Sequence, residues 1–200
     1  MAGFNQFFDE FDGTVSVRYG GGIDQRFTSN FTGGLEISKR DLDVPSPDFV
    51  ADNWEESLYR GYLHWTPHPH WAVSIDYVKE DFTNLGQLAA RDTETQIGSA
   101  AISYFSPSGF FAKFNTSLLD QDVAIEQRSV SDSTLFLDLS SGYRLPERRG
   151  IFQVTLQNLL DQNYHFESEQ NRRPVRSDSF PSFLPFPPEL TIFFRFTIAL

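Results

Sequence analysis

The sequence predicts an all-β fold, an antiparallel meander of about nine strands. Apolar residues recur with a period of two from Thr14 to the end, and no stretch keeps helical spacing for long. Turn-forming residues separate the alternating segments, and all eleven prolines fall in the predicted connections. The predicted strands cover residues 14–26, 31–42, 54–65, 71–82, 95–105, 110–120, 134–144, 151–164 and 189–199.

Short turns alternate with longer polar segments along the chain. The short turn signals lie at 28–30, 67–70, 106–109 and 146–150. The longer polar segments lie near 43–53, 83–94, 121–133 and 167–188. Aromatic residues such as Trp65 and Trp71 flank the short turns, as in the interfacial belts of membrane proteins. Short turns at one end and long loops at the other are typical of barrels that span a membrane. The meander is therefore predicted to form part of an outer-membrane β-barrel.

Composition limits the remaining classes. The chain has 200 residues, of which 40% are hydrophobic, and its net charge of -11 argues against a nucleic-acid partner. It contains no cysteine, which excludes a disulfide scaffold and a thiol catalyst. No apolar run approaches the roughly twenty residues of a spanning helix, so a bilayer would have to be crossed by strands of a closed sheet.

The domain prediction is a single barrel segment over residues 14–200, with residues 1–13 as a loop or a frayed strand. Barrels of one bacterial chain normally have an even number of strands, and nine is odd. No secretory leader is visible at the N-terminus. We therefore expect the segment to be the C-terminal part of a larger barrel.

One strand face is polar and carries charges of both signs. In a barrel this face would line the lumen, where it would meet water, a plug or a passing solute. The candidate lumen-facing residues are Arg18, Lys113, Asn115, Asp138, Arg144 and Arg195.

No catalytic, cofactor or metal site is predicted. His68 and His70 lie in a proline-punctuated turn without an acidic neighbour, which favours a surface turn over a metal site. The three glycines at 20–22 lack the lysine and the helix of a phosphate loop. No Gly-x-Ser-x-Gly motif orders a nucleophile. We therefore do not expect an enzyme.

Two segments near the C-terminus resemble the TonB-dependent receptors of the bacterial outer membrane. Residues 154–164 resemble the penultimate-strand signature of that family, with Leu160 where the family usually has Phe. The final strand resembles the aromatic-rich terminal strand that the barrel-assembly machinery recognises, although Leu200 replaces the commoner Phe. The residues that carry the signature are Asn158, Leu159, Leu160, Asp161 and Tyr164.

A second resemblance covers most of the chain. Segments 24–27, 34–42, 104–111 and 142–150 are similar to the C-terminal barrels of large proteins in which tetratricopeptide repeats precede a TonB-receptor-like barrel. The resemblance implies an outer-membrane location and a role in a transport or receptor pore. It also implies four partners: the lipid bilayer, lipopolysaccharide, the barrel-assembly machinery, and an upstream plug or repeat domain of the same protein.

Two alternatives remain open at this point. In a soluble β-sandwich or small barrel that binds a ligand, the apolar face would form the core and the polar face would meet solvent. A barrel hydrolase would carry its nucleophile and base on the wall.

Overall fold

The computed structural model describes residues 13–45, 52–84, 91–125, 128–162 and 189–198. Nine antiparallel strands form one sheet in sequence order, which confirms the predicted all-β meander. Over these described ranges the sheet is open, with its first and last strands at the two edges. Among the described residues, no helix is long and apolar enough to cross a lipid bilayer. The strands are β1 (Val15–Thr28), β2 (Phe31–Val44), β3 (Asp52–His68), β4 (Trp71–Asn84), β5 (Arg91–Phe105), β6 (Phe110–Ile125), β7 (Arg128–Arg144), β8 (Gly150–Gln157) and β9 (Thr191–Ile198).

The prediction of a polar loop over 121–133 is wrong, because most of it is strand. β6 continues to Ile125 and β7 begins at Arg128, so the two strands pair almost to their ends. Charged residues such as Asp120 and Asp122 made this stretch look like a loop. They belong to a regular ladder, in which they lie on the same face as Leu118 while Val123 lies on the opposite face.

Two strand ends also differ from prediction. β8 ends at Gln157, before the predicted 164, because Asn158 takes a left-handed conformation with φ 52° that a strand cannot continue. β3 extends to His68 and includes Pro67, which was predicted to lie in a connection. The register shifts between Trp65 and His68, so this proline lies at an irregular strand end where a missing ladder donor is tolerated.

Alternation and register divide the sheet into two faces. Residues paired across strands lie on the same face, and successive residues point to opposite faces. We call the side of Ile37, Tyr59 and Tyr77 the belt face, and the side of Arg40, Glu56 and Asp138 the polar face. β1 and β9 are the two edges of the sheet, and each pairs with one described strand.

Candidate membrane interface and polar face

The belt face carries a continuous band of exposed large hydrophobic side chains across all nine strands. We call this band the apolar belt. Its members are Val15, Val17, Tyr19, Ile23, Phe27, Leu35, Ile37, Tyr59, Leu63, Trp65, Trp71, Ile75, Tyr77, Ile102, Phe110, Phe114, Leu118, Leu135, Leu139, Tyr143, Phe152, Ile192, Phe194, Phe196 and Ile198.

The belt is too large for an ordinary soluble surface. Nine strands about 4.8 Å apart give a width of about 40 Å, and on β3, β4, β6, β7 and β9 the belt residues extend for about 20 to 27 Å along the strand. The area is therefore on the order of 1,000 Å², whereas the largest apolar patch of a soluble monomer is about 300–600 Å². A sheet with this face needs a cover of lipid, detergent or protein.

Aromatic rings concentrate at the end of the belt next to the short turns. Phe27 stacks on Phe31 with ring centroids 5.0 Å apart, and Trp71 contacts Tyr104 at 4.9 Å. Phe110, Tyr143 and Phe152 continue the row on the strands that follow. Rings at one level of successive strands are typical of the boundary between membrane and water.

On β2 to β7 the belt gives way to polar or charged residues within two residues of one register row. Along β2 the outward residues change from Ile37 to Lys39, and along β4 from Tyr77 to Lys79. The same change occurs along β7, from Leu135 to Ser133. The residues beyond this level form a charged collar with eight carboxylates and two lysines: Lys39, Asp41, Asp43, Glu55, Lys79, Asp81, Asp92, Glu94, Asp120 and Asp122.

Both collar lysines are held by carboxylates. Lys39 Nζ lies 2.7 Å from Glu55 and 3.6 Å from Asp41, and Lys79 Nζ lies 3.1 Å from Glu94. The hydrogen bond to Glu55 raises the pKa of Lys39 above its ordinary value, and the bond to Glu94 does the same for Lys79. Both groups lie outside the apolar belt. The six surplus carboxylates make the collar strongly acidic, which is a surface suited to water.

The polar face beside the collar carries both apolar and charged side chains. Behind the collar it carries the buried apolar side chains of Leu42, Val44, Trp54 and Phe82. The rings of Trp54 and Phe82 meet edge to face with centroids 5.5 Å apart. Beside this cluster, Arg40 donates from Nε to Glu56 Oε2 at 2.7 Å, and the pair is largely buried. Next to the collar the polar face therefore combines a small buried apolar cluster with a buried ion pair.

All six candidate lumen-facing residues lie on the polar face, as their register positions show. Arg18 donates to Ser38 Oγ at 2.9 Å and lies 3.6 Å from Glu36. Lys113 is opposite Ser140, Arg144 is opposite Ile151, and Arg195 is opposite Gln153. The structure brings two of them together, because Asn115 Nδ2 lies 3.4 Å from Asp138 Oδ2. Their assignment to a lumen stays a prediction.

The signature residues end one strand and anchor the next. The Asn158 side chain is 3% exposed and bonds the backbone N–H and C=O of Gln162, each at 3.0 Å. Leu159 N donates to Leu137 O at 2.9 Å, and Leu160 is exposed. Asp161, at φ 49°, accepts a hydrogen bond from Leu190 N at 2.9 Å, directly before β9. Tyr164 lies outside the described residues.

Asp138 joins the signature to the polar face, a link that the sequence did not indicate. Its Oδ1 accepts from the backbone N–H of Asn158 at 3.0 Å, and its Oδ2 faces Asn115. One carboxylate therefore connects β6, β7 and the end of β8. The partners are 20 and 23 residues away along the chain, and only the strand register brings them into reach.

A tyrosine and an aspartate form a hydrogen bond across a glycine near the short-turn end of the sheet. Tyr62 donates a hydrogen bond to Asp24 across Gly34, which lies between them on β2. A Cβ at Gly34 would lie 2.5 Å from Asp24 Oδ1 and 2.6 Å from Tyr62 Cε1. The glycine is therefore required for this contact.

The polar side chains do not assemble a recognisable reaction centre. His64 lies opposite Ser74 and 3.9 Å from Asp76, but the described structure records no hydrogen bond between His64 and Ser74. His68 and His70 have ring centroids 5.0 Å apart. Within the described ranges no group of three or more His, Cys, Asp or Glu could hold a metal ion.

Comparisons with known proteins add no assignment. No family model matches the chain, and no curated protein and no solved structure is significantly similar to it.

Proposed function

We propose that the chain forms part of the wall of a bacterial outer-membrane β-barrel and contributes to a transport or receptor pore of the TonB-dependent-receptor type. The observation that carries the proposal is the apolar belt, which gives way to the charged collar within two residues of one register row on β2 to β7. The outer face of a barrel wall has this pattern, because it is apolar only over the depth of the lipid.

The dimensions of the belt support this reading. Leu135 and Tyr143 are eight residues apart on β7, which is about 27 Å along the strand and about 21 Å after a tilt of about 40°. Outer-membrane barrels have an apolar band about 25 Å tall. The strands β1 to β7 contain 14 to 17 residues, more than the roughly 9–11 that a bilayer needs. The surplus residues form the collar.

The pore role depends on the polar face and on the resemblance of residues 158–161 and 190–200 to the receptor family. Arg18, Lys113, Arg144 and Arg195 place positive charge on the face that would meet the lumen. A plug or repeat domain, the barrel-assembly machinery and lipopolysaccharide are the partners proposed with this role.

The soluble ligand-binding module is supported less well. It requires a second layer over the belt face, and the nine described strands all lie in one sheet. The barrel hydrolase requires a nucleophile hydrogen-bonded to a base, and among the described residues His64 and Ser74 are register partners without such a bond.

The test is detergent-dependent folding of the full chain. The chain would be refolded from denaturant with and without micelles and run on a gel before and after boiling. We expect folding only with micelles, and a change in migration on boiling. A monomer that folds and stays in solution without detergent would show that the apolar belt belongs to a soluble core.

A further inference from the structure

β1 is an edge strand without the features that normally protect an edge. It is 14 residues long and, among the described strands, pairs with β2 alone. It contains no proline, and its register is regular from Val15 to Arg26. Arg18 is engaged with Ser38 and Glu36 on the polar face. Natural edges are usually blocked by prolines, bulges or free charges, so this edge is suited to pairing.

The side chains at one end of β1 also point to a missing neighbour. Val15 and Val17 lie opposite Asp43 and Asp41, beyond the level where the belt ends on the next six strands. They are 62% and 61% exposed. The apolar belt therefore extends further on β1 than on β2 to β7, which is explained if a further strand with apolar side chains lies beside Val15 and Val17.

Strand direction argues against the two simplest neighbours, because antiparallel pairing predominates in outer-membrane barrels. Every pair in the sheet is antiparallel, so β1 and β9 run in the same direction. Pairing of β1 with β9 would be parallel, within one copy or between two copies inserted the same way. Two copies inserted in opposite directions could pair antiparallel, but their acidic collars would then lie on opposite sides of the bilayer. β9 is also only 8 residues long.

We propose that the β1 edge binds an antiparallel β-strand from outside residues 13–198, with apolar side chains on its belt face along its whole length, including the part beside Val15 and Val17. An odd number of such strands then completes an antiparallel sheet between β1 and β9. This proposal rests on the proposed function, because the proposed function sets where the bilayer lies along β1.

The test measures amide hydrogen exchange of the full chain in micelles, with β5 as an interior strand for comparison. We expect the β1 amides that point away from β2 to exchange quickly and the β5 amides to be protected. The probe is a synthetic peptide as long as β1 that alternates Val or Leu with Thr. A control peptide of the same composition carries threonines beside Val15 and Val17. We expect the first peptide to slow exchange at the outward β1 amides, and the control to do so more weakly.

Two variants place the same charge on opposite faces of β1. Val17→Lys should weaken binding of the alternating peptide roughly tenfold or more, because it puts an ammonium group against an apolar neighbour. Ser16→Lys, on the polar face, should leave binding nearly unchanged. If Val17→Lys fails to fold, the exchange comparison of the two peptides on the unaltered chain still decides the question.

Three results would overturn the proposal. The first is that the outward β1 amides are already protected from exchange in the monomer, and the second is that the alternating peptide gives them no protection. The third is that sedimentation shows a dimer, and that dilution removes both the dimer and the protection. The last result would make a second copy the neighbour. A chain that needs micelles to fold and gives one of these results keeps its proposed function and loses only this inference.

Discussion

A lysine series on β7 tests the position of the bilayer. Ser133, Leu135 and Leu139 lie on the belt face of one strand, with Ser133 opposite the collar residue Asp120, Leu135 at the end of the belt and Leu139 at its middle. Leu139 is four residues below Leu135, or about 14 Å along the strand. Each residue would be replaced singly by lysine.

The expected cost depends on depth. Lysine on the lipid face of a barrel costs about 2–4 kcal/mol at the midplane and about 0–1 kcal/mol near the interface. We therefore expect Leu139→Lys to lower the free energy of unfolding by about 2–4 kcal/mol and Leu135→Lys by about 1 kcal/mol or less. Ser133→Lys should be neutral or slightly stabilising, because Asp120 lies directly opposite.

The assay is reversible denaturant unfolding of each variant in phospholipid vesicles. The two leucines distinguish a lipid-facing belt from a water-facing one, because their solvent exposures are similar, at 43% for Leu135 and 38% for Leu139. In a water-facing sheet these nearly equal exposures would give nearly equal losses. Equal losses for the two leucines would therefore refute the bilayer level inferred here, whatever their absolute size.

Three further substitutions test contacts described above, each by urea unfolding in micelles. Asn158→Ala removes two side-chain hydrogen bonds and puts Ala at φ 52°, so it should cost about 3 kcal/mol. Asn158→Gly should cost about 1 kcal/mol less, and equal losses would show that backbone conformation is unimportant there. Arg40→Met leaves Glu56 largely buried without its main partner and should cost about 3–5 kcal/mol, while the double variant with Glu56→Leu should recover most of this. A double variant no better than Arg40→Met would contradict that account. Gly34→Ala should cost about 1–3 kcal/mol by displacing Tyr62 from Asp24, and a neutral result would mean that the contact adds nothing.

The fold class was predictable because alternation and turn residues are local signals. The four short turns and the starts of β2, β4 and β6 agree with the sequence prediction. β6 and β7 were predicted too short, because the charged residues at 120 and 122 are typical of a loop. The period of two continues through this segment, but the apolar residue Val123 lies on the face opposite Leu118. This shift of the apolar positions from one face to the other was the available signal that the strand continues.

The contacts of the candidate site were less predictable. The six polar-face residues follow from alternation, and the structure places them on one face. The link from Asp138 to Asn158 depends on register, and a slip of one residue would place Asp138 on the other face. The left-handed conformations of Asn158 and Asp161 were likewise hidden, although Asn and Asp are the residues that tolerate them best.

The hydrogen bond from Leu190 N to Asp161 Oδ1 has a consequence for engineering the chain. It joins the end of the turn after β8 to the residue before β9, so the alignment of the last hairpin does not depend on the length of sequence between them. Doubling the length of a flexible connection costs only about 0.6 kcal/mol. An affinity tag inserted in the sequence between Asp161 and Leu190 should therefore leave the pairing of β8 with β9 intact.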